Sequence, residues 1–404
     1  MGIHVRVISI ATALLFAGCG SGNEGGSAGE TTAELGRQAA ATYARIAHQA
    51  YSDSLERAQA LDVALLAFVA EPSSATQDHA KASWLAAREP YLQTEVYRFY
   101  DGPIDNPSDG PETQLNAWPM DEAHVDYTRD DASAGIINTV ELTIDEATVR
   151  GANEAGGEEN IAVGFHPIEF LLWGQDETDP SNGMPGQRPF TDYVAGETGT
   201  ADNQDRRGAY LTLLGELLTD DLQSLVDAWQ PDVAGNFRAS FEAGNWEAAL
   251  EKMLTGMIVL SGFEMAGQRL QVALDNGDQE DEHSCFSDNT HRDMVQDARG
   301  VQNVWLGEYE ALNPANSVSG TGVRDVVASL DPDLADEITA RIAESVARAE
   351  ALRPSDLDPP FDVLISLGNV EGNQKVQDLI DSLLAQESLL QTAFATFGLS
   401  VPEP

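Results

Sequence analysis

Apolar side chains recur at three- and four-residue steps through most of this 404-residue chain, while the alternation that builds half-buried strands is scarce. That period gathers the apolar residues of each segment on one side of a helix, so the chain is expected to be all-α. Tyr43, Ile46, Ala50, Ser54, Ala58, Leu61, Leu65 and Phe68 keep the spacing with only Ser54 polar, and they predict one long helix stopped by Pro72. A second helix, capped by Ser73-Ser74 and carrying Trp84, Tyr91 and Val96, is expected to reach about Tyr100 with a bend at Pro90. Further helices are predicted over 132–150, 167–173, 206–229, 246–274, 289–312, 332–351 and 374–397. Residues 102–126, 176–203 and 313–321, rich in Gly, Pro and polar side chains, read as loops. The first is long enough to be a functional excursion or an ordered cover.

Long antiparallel helices bury their stripes best as bundles. The expected architecture is two tandem four-helix-bundle-like domains with long irregular loops, over residues 35–235 and 236–404. A weak internal echo suggests duplication: Ala87-Arg88 followed by Tyr91 and Glu95 is similar to Ala298-Arg299 followed by Trp305 and Glu308.

The N-terminus carries the parts of an export signal. Arg6 gives a positive start, Val7 to Ala17 an apolar run of about 11 residues, and Ala17-Gly18 small residues ahead of Cys19. Such a run is too short to span a bilayer, which takes roughly 18 to 20 residues. Residues 1–19 therefore read as a lipoprotein signal ending at a lipidated Cys19, with Phe16 a departure from the commoner Leu. An ordinary secretory signal with a chance cysteine is the alternative. Residues 20–34, beginning with the Gly- and Ser-rich run Gly20 to Glu30, read as a flexible tether. The implied address is the bacterial cell envelope: lipid-anchored, on the outer membrane facing the periplasm or on the cell surface. The membrane would be a partner through that anchor. With Cys19 acylated, Cys285 has no cysteine left to pair with.

Lys and Arg number 22 against 67 Asp and Glu, a formal charge of −45. Nucleic acid is excluded as a partner, because phosphate binding needs clusters of basic side chains. The acidity itself fits either a generally solvated surface or a field that gathers cations.

Three features could carry chemistry. In Gly164-Phe165-His166-Pro167-Ile168-Glu169, Pro167 suits the first turn of a helix, which puts His166 near its start and Glu169 three residues on, facing the same way. An imidazole and a carboxylate so placed can share a metal ion or a proton; a capping His with a dipole-stabilising Glu is the other reading. Glu95, Glu264 and Glu308 continue apolar stripes, and buried acids need a cation or a metal. Arg88 and Arg299 could supply ion pairs for Glu95 and Glu308, whereas Glu264 has no cation on its own stripe. The segment 278–291 packs five acids, His283, Cys285 and His291 together, fitting neither an EF-hand nor a Cys-x-x-Cys zinc site. Ser287 or Asp288 could cap the next helix, and Cys285 could be a buried apolar residue. No zinc-protease His-Glu-x-x-His, nucleophile elbow or phosphate loop is present in the sequence.

These residues carry a resemblance. Gly164, His166 and Glu169 match the Gly-x-His-x-x-Glu motif of the imelysin-like family, in its iron-regulated lipoprotein branch. The blocks 86–95, 102–105, 116–119 and 260–264, and the run from Glu280 through Asp288 to His291, are similar to that branch as well. The resemblance implies paired helical-bundle domains with a site between them, an envelope location and a link to iron acquisition. It also carries a proposed metallopeptidase activity, for which the motif supplies no third ligand.

The expected function is an envelope lipoprotein that binds iron, another metal such as zinc or manganese, or a metal-bearing ligand, and takes part in iron uptake alongside a membrane-bound transport partner. The expected metal ligands are His166, Glu169, Glu95, Glu264 and His283, with Arg88, Asp288 and His291 in support; hard oxygens with one or two imidazoles suit iron. The alternatives are a metallopeptidase built on the His-x-x-Glu motif, and a non-catalytic module that recognises protein or glycan through residues 102–126.

Overall fold

One helix of 47 residues, Glu24–Ala70, forms the spine of the molecule. The computed structural model describes residues 24–177 and 183–399, so Cys19 and the leader lie outside the described residues. The spine begins inside the stretch expected to be tether, and Thr32 is already buried with its hydroxyl 2.8 Å from that of Ser329. All eight stripe positions from Tyr43 to Phe68 are buried. Ser54 is tolerated there because its hydroxyl donates to the Ala50 carbonyl at 2.8 Å.

The second helix, Ser74–Leu92, starts at a capping box formed by Ser73 and Thr76. It stops short of the expected Tyr100. Pro90 removes one backbone donor, Thr94 caps the Tyr91 carbonyl through its hydroxyl at 2.6 Å, and Glu95–Tyr97 turns as a 3-10 helix. The predicted helix over 132–150 is two pieces, Gly135–Asn138 and Glu146–Ala152. Val140 and Leu142 between them are exposed, so no buried stripe holds that stretch helical.

The helix from Trp246 changes pitch. It is α over Trp246–Val259, π over Leu260–Gln271 and α again over Val272–Asn276. The helix Thr290–Leu306 ends earlier than expected, at Gly307 in the left-handed region with φ 72°. A short antiparallel pair, Glu308–Tyr309 with Val318–Ser319, follows it. Neither Ser287 nor Asp288 caps that helix; Asn289 stands at its N-cap, and its side chain donates to the Asp293 carboxylate at 3.1 Å instead of accepting from the helix backbone.

The fold is all-α in its architecture. The spine packs on Ser74–Leu92 and on Gln204–Trp229, and both meet the short helix Phe165–Trp173. In the second half, Thr290–Leu306 packs on Pro332–Leu352, which packs on Val370–Thr396, which lies on the π segment. The spine also reaches Trp246–Val259, and one hydrophobic cluster runs from Ala39 to Phe394. The internal echo does not extend to environment: Arg88 and Glu95 are buried, whereas Arg299 pairs with Glu350 at the surface and Glu308 is exposed. Among the described residues, no helix is long and apolar enough to cross a membrane.

Candidate functional site

All nine residues of Phe165–Trp173 are buried. A helix so short and so apolar is stable only when surrounded on all sides. Gly164 starts it at φ 95°, where a Cβ would stand 2.4 Å from the Leu115 carbonyl oxygen, so both backbone shape and space require glycine. The Trp84 indole N–H donates to the Phe165 carbonyl at 2.9 Å and fixes this end from the second helix.

His166 Nδ1 lies 3.1 Å from Glu169 Oε2, the contact that their three-residue spacing predicts. The other carboxylate oxygen of Glu169 accepts from the Ser287 amide at 3.0 Å and the Ser287 hydroxyl at 2.6 Å. Burial pushes the Glu169 carboxyl up to about 8, against the pull of Ser287 and Arg88. Burial, then the charges of Arg88 and His283, hold His166 well below its usual range, so its ring is neutral. His166 Nε2 is buried and meets no hydrogen-bond partner among the described residues.

A second imidazole stands beside the first. The rings of His166 and His283 are 5.1 Å apart, edge to face, and Trp118 covers His283 at 5.8 Å. His283 Nδ1 lies 2.7 Å from Asp293 Oδ2, which also accepts from the Ser284 hydroxyl at 2.6 Å and from Arg88 at 3.0 Å. Burial and Arg269 bring His283 down to about 4 despite that carboxylate. Burial disfavours an ionised Asp293, yet Arg88 and the His283 hydrogen bond hold it well below the usual carboxylate range. Each histidine is thus oriented at Nδ1 by a carboxyl group, an arrangement that leaves Nε2 as the available nitrogen.

Arginines organise the adjoining wall. Arg88 is buried over the Phe165 and Trp84 rings and donates to Asn116 as well as Asp293. Glu95 accepts from Arg98 at 2.7 Å and from Arg269 at 2.6 Å, and Arg269 also pairs with Asp297 at 2.8 Å. Burial opposes the Glu95 charge, and the two arginines overcome it and hold the carboxyl well below its usual range. The expected Arg88–Glu95 pair is therefore replaced by Arg88–Asp293 and Arg98–Glu95–Arg269.

Glu264 lies 3.7 Å from Arg98 and 3.8 Å from Arg269, so it does have cations within reach. The stripe rule missed this because residues 260–271 wind as a π-helix, which brings positions five apart, 264 and 269, to the same side. A cavity of about 340 Å³ opens here, lined by Arg98, Asn116, Trp118, Glu264, Arg269 and His283 among others. Residues 102–126 supply part of its wall and include the one-turn helices Glu112–Leu115 and Glu122–Val125.

His166, Glu169 and His283 are thus brought together, with Glu264 on the cavity wall and Glu95 committed to two arginines. Among the described residues, one group of three acid, His or Cys side chains brings ligand atoms all within 4.8 Å of one another, and it is Asp176, Asp288 and Asp362. Asp288 therefore belongs to a different cluster from His166. His291 lies against that cluster's side, its Nδ1 3.2 Å from the Asp288 carbonyl, and burial and Arg353 lower it to about 4. Cys285 is buried, as an apolar residue would be. Asp293, Arg269, Asp176 and Asp362 were not found from sequence; Asp293 and Arg269 follow residues that were singled out by two and five positions, and nothing local marks the other two.

The sequence profile of the imelysin family matches residues 47–390. A curated relative, iron-regulated protein A of Synechococcus elongatus, is 24% identical over 256 residues, which is 61% of this chain and 58% of the relative's own length. The crystal structure of a protein from Parabacteroides distasonis, named there as an iron-regulated protein A precursor, superposes with a TM-score of 0.65 at 20% identity, covering 90% of this chain and 95% of that one. An imelysin-like protein from Psychrobacter arcticum superposes with a TM-score of 0.61 at 13% identity, over 92% and 98% of the two chains. Since the profile spans most of the sequence and includes Gly164, His166 and Glu169, the chain belongs to the imelysin family.

Proposed function

We propose that this protein binds iron, as the ion or in a small anionic chelate, at the cavity bordered by His283, and that it serves iron uptake as a non-catalytic binding protein held at the cell envelope by Cys19. One observation carries the reading: two neutral imidazoles stand 5.1 Å apart, each backed at Nδ1 by a carboxyl group, and His166 Nε2 has no partner among the described residues. A nitrogen buried without a partner costs about 1–3 kcal/mol unless something binds it. A cation at Nε2 selects the tautomer with hydrogen on Nδ1, donated to an ionised Glu169. Imidazole and carboxylate donors suit iron. Arg98 and Arg269 on the wall would meet the anionic oxygens of a chelate. The names of the Synechococcus and Parabacteroides relatives support the iron assignment.

The test is equilibrium dialysis of the full chain against iron(II), and against iron(III) supplied as citrate. Saturable binding by the wild type that weakens at least about tenfold in the double variant His166→Ala, His283→Ala is expected, with circular dichroism confirming that the variant folds. Absence of saturable binding, or unchanged binding in the variant, defeats the proposal. Cleavage of a denatured protein by the wild type, lost in the same variant, would replace it with the metallopeptidase reading.

A further inference from the structure

Segment 282–289 has a second face, and the chemistry there is different. Asp176, Asp288 and Asp362 come from three distant parts of the chain and place one carboxylate oxygen each within 4.8 Å of the others. All three are buried, Asp362 to 1% exposure and Asp288 to 4%. Neither oxygen of Asp288, and neither of Asp362, meets a hydrogen bond of normal geometry among the described residues. Glu282, also buried, lies within reach of the same group: burial, then the charges of Asp288 and Asp362, push its carboxyl well above its usual range. The cation that acts on Asp288 and Asp362 is Arg353, which makes no ion pair with either and donates instead to the Asp358 and Asp356 carbonyls.

Buried carboxylates without donors are expensive, and several within one small volume repel each other as well. The nearby site around Arg269 shows that this fold can supply guanidinium groups to buried acids. For Asp288 and Asp362, among the described residues, it has not done so. Burial and the mutual charge push Asp288 up to about 8 and Asp362 to about 6, the response of acids that lack a counter-ion. The geometry also costs backbone freedom, since Asp288 sits in the left-handed region at φ 54°.

We infer that Asp176, Asp288 and Asp362 form a binding site for a hard divalent cation of the calcium–magnesium class, separate from the His166–His283 site. The donors are carboxylate oxygens alone, the set such cations take. Oxygens on opposite sides of a calcium ion stand up to about 5 Å apart, so the observed spacing admits calcium without rearrangement. The ion ties the 282–289 segment to the loop at Asp176 and the turn of helix at Asp362. That segment presents His283 and Ser287 on its other face, so cation binding here steadies the partners of His166 and Glu169.

The experiment is calorimetric titration and thermal melting of the full chain, stripped with chelator, using calcium chloride and magnesium chloride as probes. One saturable equivalent of either ion per chain, with a raised Tm, is expected. Asp288→Asn and Asp362→Asn should each weaken that binding at least about tenfold. Both should melt no lower than wild type in chelator, because each replaces an acid whose ionisation burial and its neighbours disfavour with a neutral amide. The His166→Ala, His283→Ala variant should bind calcium or magnesium as the wild type does, which separates this result from the outcome for iron. No saturable binding of either ion by the wild type, or wild-type affinity in both Asn variants, would overturn the assignment.

Discussion

Around Arg269 each buried acid has a guanidinium in contact; around Asp288, on the other side of a few residues of chain, the carboxylates have each other. Glu95, Asp293 and Asp297 pair with Arg98, Arg269 and Arg88 at 2.6–3.0 Å. Asp288 and Asp362 have no such contact among the described residues, although they too are buried. The two clusters solve one problem, the cost of taking charge out of water, by internal and by external compensation. Internal pairs belong to the folded chain at all times. External compensation makes stability depend on what is dissolved outside.

Removing one partner from each cluster should move stability in opposite directions. Arg88→Met leaves Asp293 buried with a neutral histidine, a hydroxyl and the Asn289 amide but no cation in contact, and should destabilise the protein by about 3–5 kcal/mol in denaturant melts. Asp362→Asn in chelator should leave stability unchanged or raise it by about 1 kcal/mol. Equal losses from the two substitutions would erase the distinction between the clusters.

A smaller effect separates them by pH. Glu95 and Asp293 are carboxyls held below their ordinary values by arginines, and for Asp293 also by the His283 hydrogen bond, against burial, so their contribution is present above about pH 4.5 and is lost as pH falls. Asp288 is raised from 3.8 to about 8, so the folded state holds its proton more tightly than the unfolded chain. Its contribution is present below about pH 4 and is lost as pH rises through 8. Melts of the chelated protein should show Tm declining from pH 6 to pH 8.5, less steeply in Asp288→Asn. Some slope remains there because Glu169, Glu282 and Asp297 are raised in the same direction, Asp297 by burial that outweighs its contact with Arg269. A flat profile in the chelated wild type would contradict the picture of uncompensated acids.

How much of this was written in the sequence follows from the range of each interaction. Helices with a buried stripe were legible because their period is local, and the spine from Tyr43 to Phe68 is as predicted. The helix over 132–150 failed for the complementary reason: Val140 and Leu142 in its middle have nothing to cover them. His166 with Glu169 was legible because three residues on a helix fix the contact. Glu264 was misread because the π-helix altered which positions share a face. Asp176, Asp288 and Asp362 meet only through tertiary packing, and no spacing along the chain announces them.

The smallest predicted effect tests whether the two clusters act on each other. Ser287 gives Glu169 its shortest hydrogen bond, 2.6 Å from the hydroxyl, and its neighbour Asp288 belongs to the acid cluster. Ser287→Ala keeps the backbone donor at 3.0 Å and removes only the hydroxyl, so stability should fall by about 1 kcal/mol. With one donor fewer, Glu169 is less easily ionised, and an imidazole backed by a neutral acid is a poorer ligand than one backed by a carboxylate. Iron affinity should therefore drop several-fold, while calcium affinity, which depends on atoms on the other face of the segment, should stay within about twofold. Coupling between the sites must be reciprocal, so saturating calcium should tighten iron binding in the wild type by the same factor that iron tightens calcium. If Ser287→Ala weakens both ions equally, residues 282–289 move as one rigid unit, and the two compensations are halves of one site.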